Sequence, residues 1–262
     1  MNAISELNQT MPLDSSQGNL IVDTGSRMAS SRLIGALFLS GFLFYGVGYG
    51  LVSSVTGAPG FLSTISAHPT TLTIGAFLML LNSLAVAGIG ILFFPILEHR
   101  GKRTALAYLA ARIVEAVLLA VGVLALLMLV PVGQSAVAAG GPSVGWATAL
   151  GALLTQSNTM SYQIAMLSLG LASIFMCALL FRTRLIPRFL AVWGVIGYAI
   201  FMAGAIAEIF GIHIGVLLSI PGGLFEVALG FWLLIKGFQP AAYGGRAEVV
   251  LTPTVRPARA TL

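Results

Sequence analysis

The chain has 262 residues, 58% of them hydrophobic and 8% charged, with a formal net charge of +5. A water-soluble domain carries about 25% charged residues, so this composition excludes one, and most of the surface must face lipid. A single cysteine, Cys177, excludes an internal disulfide and lies at no metal-ligand spacing. The basic excess points to orientation in a membrane and contact with anionic lipid, not to nucleic acid.

Residues 1–31 are polar and without periodicity, which predicts a disordered tail. The first apolar run begins near Leu33 and is too long for the core of a secretory signal. Met28 just before it would serve as an alternative start. Residues 33–52 form the first predicted span. Within it Gly46 and Gly50 make a small-residue face beside Tyr45 and Tyr49, suited to helix contact. The uncharged stretch 53–71 predicts a short interfacial helix at Phe61–Ala67. Residues 72–97 form the second span, with Asn82 inside it as a candidate polar group. It would line a pathway or bond a neighbouring helix.

The basic turn EHRGKR at 98–103 precedes a third span at 104–130, which Pro131 is expected to end. Residues 132–157 again lack charge. Trp146, Leu150, Leu153 and Leu154 share one helical face there, which predicts a helix lying on the outer membrane surface. A single helix from Trp146 to Phe181 would be roughly 54 Å long against a bilayer of about 30 Å, so a break is expected near 156–158. The remaining spans are 160–181, 189–210 and 214–235. Glu208 and His213 sit together at the far end of the fifth, as interfacial groups or as a proton-handling pair. Pro221, Gly222 and Gly223 interrupt the sixth and are a candidate hinge. Residues 238–262 predict a disordered basic tail along the membrane surface.

The third span carries the informative residues. Arg112 and Glu115 lie three apart, on one helix face and within reach of each other. A lone charge at mid-bilayer costs about 2.5–3.5 kcal/mol on insertion scales. Counted from the basic end, Arg112 lies roughly 13 Å and Glu115 roughly 18 Å deep at 1.5 Å per residue. Glu226, ten residues before Lys236, lies at roughly 15 Å by the same count. One guanidinium has donors enough for two carboxylates, so Arg112, Glu115 and Glu226 are predicted to form one buried cluster. With all three ionised it carries one net negative charge, and if water reaches it a cation or proton would bind there.

Lys and Arg fall before span one, between two and three, between four and five, and after six; the other connections have none. The positive-inside rule then gives six spans with both termini cytoplasmic. The expected fold is all-α, a polytopic six-helix transmembrane bundle at 32–237 between two disordered tails. Localisation in the cytoplasmic membrane follows.

Three stretches carry a family resemblance: AYLAARIVEAVLLAVG at 107–122, LIPRFLAVWGVIGY at 185–198 and FEVALGFWLLIKGF at 225–238. In order and spacing they resemble a bacterial membrane-protein family catalogued as domain of unknown function 4386. The likeness covers about residues 30–238 and places the family's polar positions on Arg112, Glu115, Arg188 and Glu226. It implies a six-helix integral membrane protein and no particular activity.

Two functions compete. In one the charges lock helices together in a non-catalytic structural, sensory or accessory component, the reading with fewest assumptions. In the other they form the site of a small-molecule or ion transporter, proton-coupled or not. An intramembrane enzyme lacks support: there is no H-E-x-x-H, no G-x-S-x-G and no paired Asp. No cofactor or metal is expected. The partners expected are the lipid bilayer and a small-molecule ligand of unknown identity, and the small-residue faces suit a helix-packed homo-oligomer. A cavity reaching the cluster would separate the two readings, since a lock has no need of one.

Overall fold

The computed structural model describes residues 15–58, 60–140 and 145–239, without the side chains of 15–27 and 216. The described chain is helical, with no strand among the described residues. In order it forms α1 (Ser15–Thr56), α2 (Phe61–Ala67), α3 (Pro69–Ala138), α4 (Gly145–Thr183), α5 (Arg188–Ile209) and α6 (Gly215–Ile235). Five of these are long and apolar enough to cross a membrane. One of the five, the 70-residue α3, is folded at Gly101, whose φ of −171° and ψ of 78° are extended. It contributes two limbs, 69–100 and 102–138, so the bundle has six long members.

Close glycine contacts give their order. Gly48 meets Gly75 and Gly41 meets Asn82, which sets α1 antiparallel to the first limb of α3. Gly90 meets Arg112 between the limbs, and Gly122 meets Asn158 on α4. Gly170 meets Met202 on α5, Gly197 meets Gly222 on α6, and Gly35 meets Gly230 back on α1. Each neighbour is antiparallel and the ring closes. Small residues let backbones approach where lipid supplies no hydrophobic drive between helices. Large apolar side chains such as Leu43, Phe77, Leu124, Phe175 and Phe231 point outward and are more than half exposed, as a lipid-facing belt requires.

The end of the bundle with the uncharged connections is capped by packing. Leu62 of α2, Ala136 of α3 and Ala147 of α4 form one buried cluster. A Cβ on Gly151 would strike the Phe61 ring at 2.8 Å, and one on Gly133 would strike the Leu62 carbonyl oxygen at 2.8 Å. At the end with the basic connections Arg184 takes a left-handed φ of 54° to turn the chain into α5. Gln239 N–H donates to the Leu185 carbonyl at 3.0 Å, tying the chain after α6 to that turn.

Several expectations need correction. α1 begins at Ser15, so the predicted disordered tail is helical from there; residues 1–14 lie outside the described residues. Phe238 is 5% exposed and packs on Phe93, so the predicted C-terminal tail begins inside the core, and its residues from 240 lie outside the described ones. Pro131 does not end its helix, which runs to Ala138 with the proline on an exposed face. α4 is continuous through Gln156–Asn158, a 39-residue helix instead of a surface helix and a span. Its physical reason is that cap: Ala147 and Gly151 are the packing face, and Trp146 and Leu153 point away. The expected interruption at Pro221–Gly223 is absent too, since α6 runs unbroken through it. Gly46 and Gly50 have nothing within 4 Å of an added Cβ, so they are not helix contacts within this chain.

Candidate functional site

The bundle has a polar centre, and Arg112 is its hub. Its stem fits because Gly90 on the other limb has no side chain: a Cβ there would lie 2.7 Å from that of Arg112. Nε donates to the Tyr108 hydroxyl at 2.9 Å, one helical turn back. One terminal nitrogen donates to Glu115 Oε2 at 3.0 Å and the other to Glu226 Oε1 at 3.0 Å. Tyr198 on α5 donates its hydroxyl to the same Glu226 oxygen at 2.6 Å. The guanidinium carbon lies 5.4 Å from the Phe38 ring centroid and 5.3 Å from that of Tyr108. Arg112 is 2% exposed, so hydrogen bonds and ring faces replace its water. The structure thus brings Arg112, Glu115 and Glu226 together from α3 and α6, and adds tyrosines from α3 and α5.

The cluster is closed on one side and open on the other. Toward the basic connections lie Phe38, Phe93, Tyr108 and Phe238, in edge contacts of 5.5–6.2 Å and at most 5% exposed. Toward the uncharged connections lies a cavity of about 140 Å³ that reaches Arg112, Glu115 and Glu226. All six long members line it: Phe42 from α1, Asn82 and Leu119 from the limbs of α3, Met166 from α4, Phe201 from α5 and Ser219 from α6. A cavity needs about 10–15 Å³ to hold one water, so this one has room for a small molecule or several waters. At its outer end Tyr45 stacks on Tyr162 with centroids 5.4 Å apart. Tyr162 also borders a smaller cavity that runs on between α4, α5 and α6 past Gln163 and Gly215.

The other predicted residues divide. Asn82 is 8% exposed and lines the cavity. In the Pro221–Gly223 stretch, the Pro221 carbonyl accepts from Trp193 Nε1 at 3.1 Å, Gly222 packs on Gly197, and Gly223 lines the cavity beside Phe42. Glu208 and His213 are paired at 3.1 Å but stand apart from the cluster. Glu208 Oε1 accepts the Gly215 backbone N–H at 2.9 Å, which caps the start of α6. That is a helix-end role within the α5–α6 turn. Arg188 opens α5 and lies 5.3 Å over the Phe181 ring, outside the cluster. Among the described residues no group of three or more His, Cys, Asp or Glu is placed to hold a metal ion.

Sequence reasoning did not single out Tyr108, Tyr198 or Phe38 as functional. Two left a signal. Tyr108 is four residues before Arg112, the spacing of a helical neighbour. Tyr198 is ten residues past Arg188, at the depth that Glu226 has from Lys236. Phe38 left none, because one aromatic in an apolar span looks like any other.

Fold and site together define a multi-pass α-helical membrane protein with a buried ionic cluster at the floor of an internal cavity. The family profile described as Domain of unknown function (DUF4386) matches residues 33–237. The chain belongs to that family. Searches of curated proteins and of solved structures gave no match.

Proposed function

We propose that this protein binds a small molecule in its central cavity and carries it across the membrane, with Glu115 and Glu226 as the binding groups and Arg112 holding them in place. The observation that supports this reading is the cavity itself. A lock between α3 and α6 needs the ion pairs but gains nothing from a cavity of about 140 Å³ against them. Empty volume beside buried charge is costly unless water or a ligand fills it. The aromatic floor on one side and the Tyr45–Tyr162 stack on the other are the barriers that a carrier would open in turn. Both termini are then cytoplasmic, with the aromatic floor facing that side.

The structural reading keeps one observation in its favour: Arg112 joins residues 114 positions apart and so fixes α3 against α6. Melting of the purified protein separates the two. A panel of small amines, carboxylates and neutral aromatics should contain a compound that raises the melting temperature of the wild type. Ala85→Phe fills the cavity and should abolish that response. Glu226→Gln, which leaves Arg112 its pair with Glu115, should leave the fold intact while the response is lost. A panel without effect, combined with collapse of that variant, would sink the carrier and leave the lock.

A further inference from the structure

The cavity also carries a chemical signature for what it holds. Its cation is already committed: each of the three guanidinium nitrogens of Arg112 donates to a protein acceptor, and rings lie over it at 5.3 and 5.4 Å. An incoming anion would meet the two carboxylates already seated on it. The acids are not so committed. The bonds to Glu226 both end on Oε1, and the bond to Glu115 ends on Oε2. The second oxygen of each takes no hydrogen bond from a described residue. Glu226 is also the more open of the two, its side chain 15% exposed against 4% for Glu115. The unmatched capacity of the site is therefore acceptor oxygen, with one surplus negative charge when all three groups are ionised.

The walls narrow the class. Phe42, Tyr45, Tyr162 and Phe201 line the cavity above the acids. Aromatic faces attract a cation within about 6 Å of the ring centre and serve an ammonium that keeps an apolar body. They replace none of the oxygen shell a bare metal ion needs. Size adds a limit: a cavity of about 150 Å³ lined by apolar side chains takes up benzene, and this one is about 140 Å³. We infer that the ligand is a small organic ammonium ion, with its nitrogen on the free oxygens of Glu115 and Glu226 and its apolar body between the rings of Tyr162 and Phe201. This rests on the reading of the cavity as a ligand site, and the test keeps the two apart.

The full chain in lipid nanodiscs is titrated with benzylamine, benzyl alcohol and benzoate at pH 7, and the melting temperature is followed. The three probes share a ring and differ in the charge beside it. Benzylamine should raise the melting temperature saturably, at concentrations at least tenfold below any effect of the other two. Glu226→Gln should shift its half-saturation tenfold or more upward, and Phe201→Leu should weaken it several-fold. The comparison of probes on the wild type stands even if a variant fails to fold. Benzyl alcohol or benzoate acting as strongly as the amine would overturn the ammonium assignment while keeping the cavity as a ligand site. No saturable response to any of the three, nor to the wider panel above, would overturn both.

Discussion

Arg112 is placed where an unpaired charge would be expelled, and three side chains and two rings hold it there. Removing one partner of a buried pair costs about 3–5 kcal/mol, mostly from the charge left behind. Arg112→Ala leaves two carboxylates facing each other without a cation. It should lower thermal stability more than Glu115→Gln or Glu226→Gln, each of which leaves Arg112 one acid and an amide oxygen. Equal losses in the three variants, measured as melting temperature in one detergent, would contradict the hub role. The cluster was legible in the sequence because depth can be counted along a helix from its basic end, and Arg112, Glu115 and Glu226 share a level. Phe38 beside it was not, because an apolar residue costs nothing in lipid and so leaves no mark on a span.

At the scale of the element, glycines decide which helix faces meet. In α1 the sequence pattern pointed to Gly46 and Gly50, but the contacts are made by Gly35, Gly41 and Gly48. A Cβ on Gly48 would lie 2.7 Å from the Gly75 carbonyl oxygen, part of the backbone. Gly48→Leu should therefore destabilise by about 1–3 kcal/mol or prevent assembly. Gly46→Leu and Gly50→Leu should leave the melting temperature of the isolated protein near that of the wild type. The reverse order would mean that α1 is rotated about its axis. Spacing alone offers both glycine sets, and only the neighbouring helix chooses between them. The length of α4 was hidden for a similar reason. Bilayer thickness argues for a break near 156–158, whereas α2 and the end of α3 supply partners beyond the bilayer that no local pattern reveals.

At the scale of the whole molecule, an antiparallel ring places every basic connection at one end and every uncharged one at the other. Under the proposed carrier reading, that sidedness makes the aromatic floor the cytoplasmic barrier and the tyrosine stack the opposite one. Single cysteines at His68 and Arg184, both exposed, test it in a Cys177→Ser background. An impermeant maleimide applied to intact cells should label the first and not the second. Labelling of both, or of Arg184→Cys alone, would contradict the orientation. The six long members were legible because charge alternates along the chain. The cavity was not, since it is a space between six helices and belongs to none of them.

Access to that space is the central claim, and two adjacent residues measure it. Asn82 lines the cavity at 8% exposure, while Ser83, 2% exposed, does not line it and donates its hydroxyl to the Met79 carbonyl at 3.2 Å. Both lie at nearly the same depth in the bilayer. In the Cys177→Ser background, Asn82→Cys and Ser83→Cys are treated in membranes with aminoethyl methanethiosulfonate, a small cationic thiol reagent. Asn82→Cys should react at least tenfold faster than Ser83→Cys, and benzylamine should slow it. Equal rates at the two positions, or no reaction at either, would mean that the polar centre is sealed and that the cavity is not a binding site.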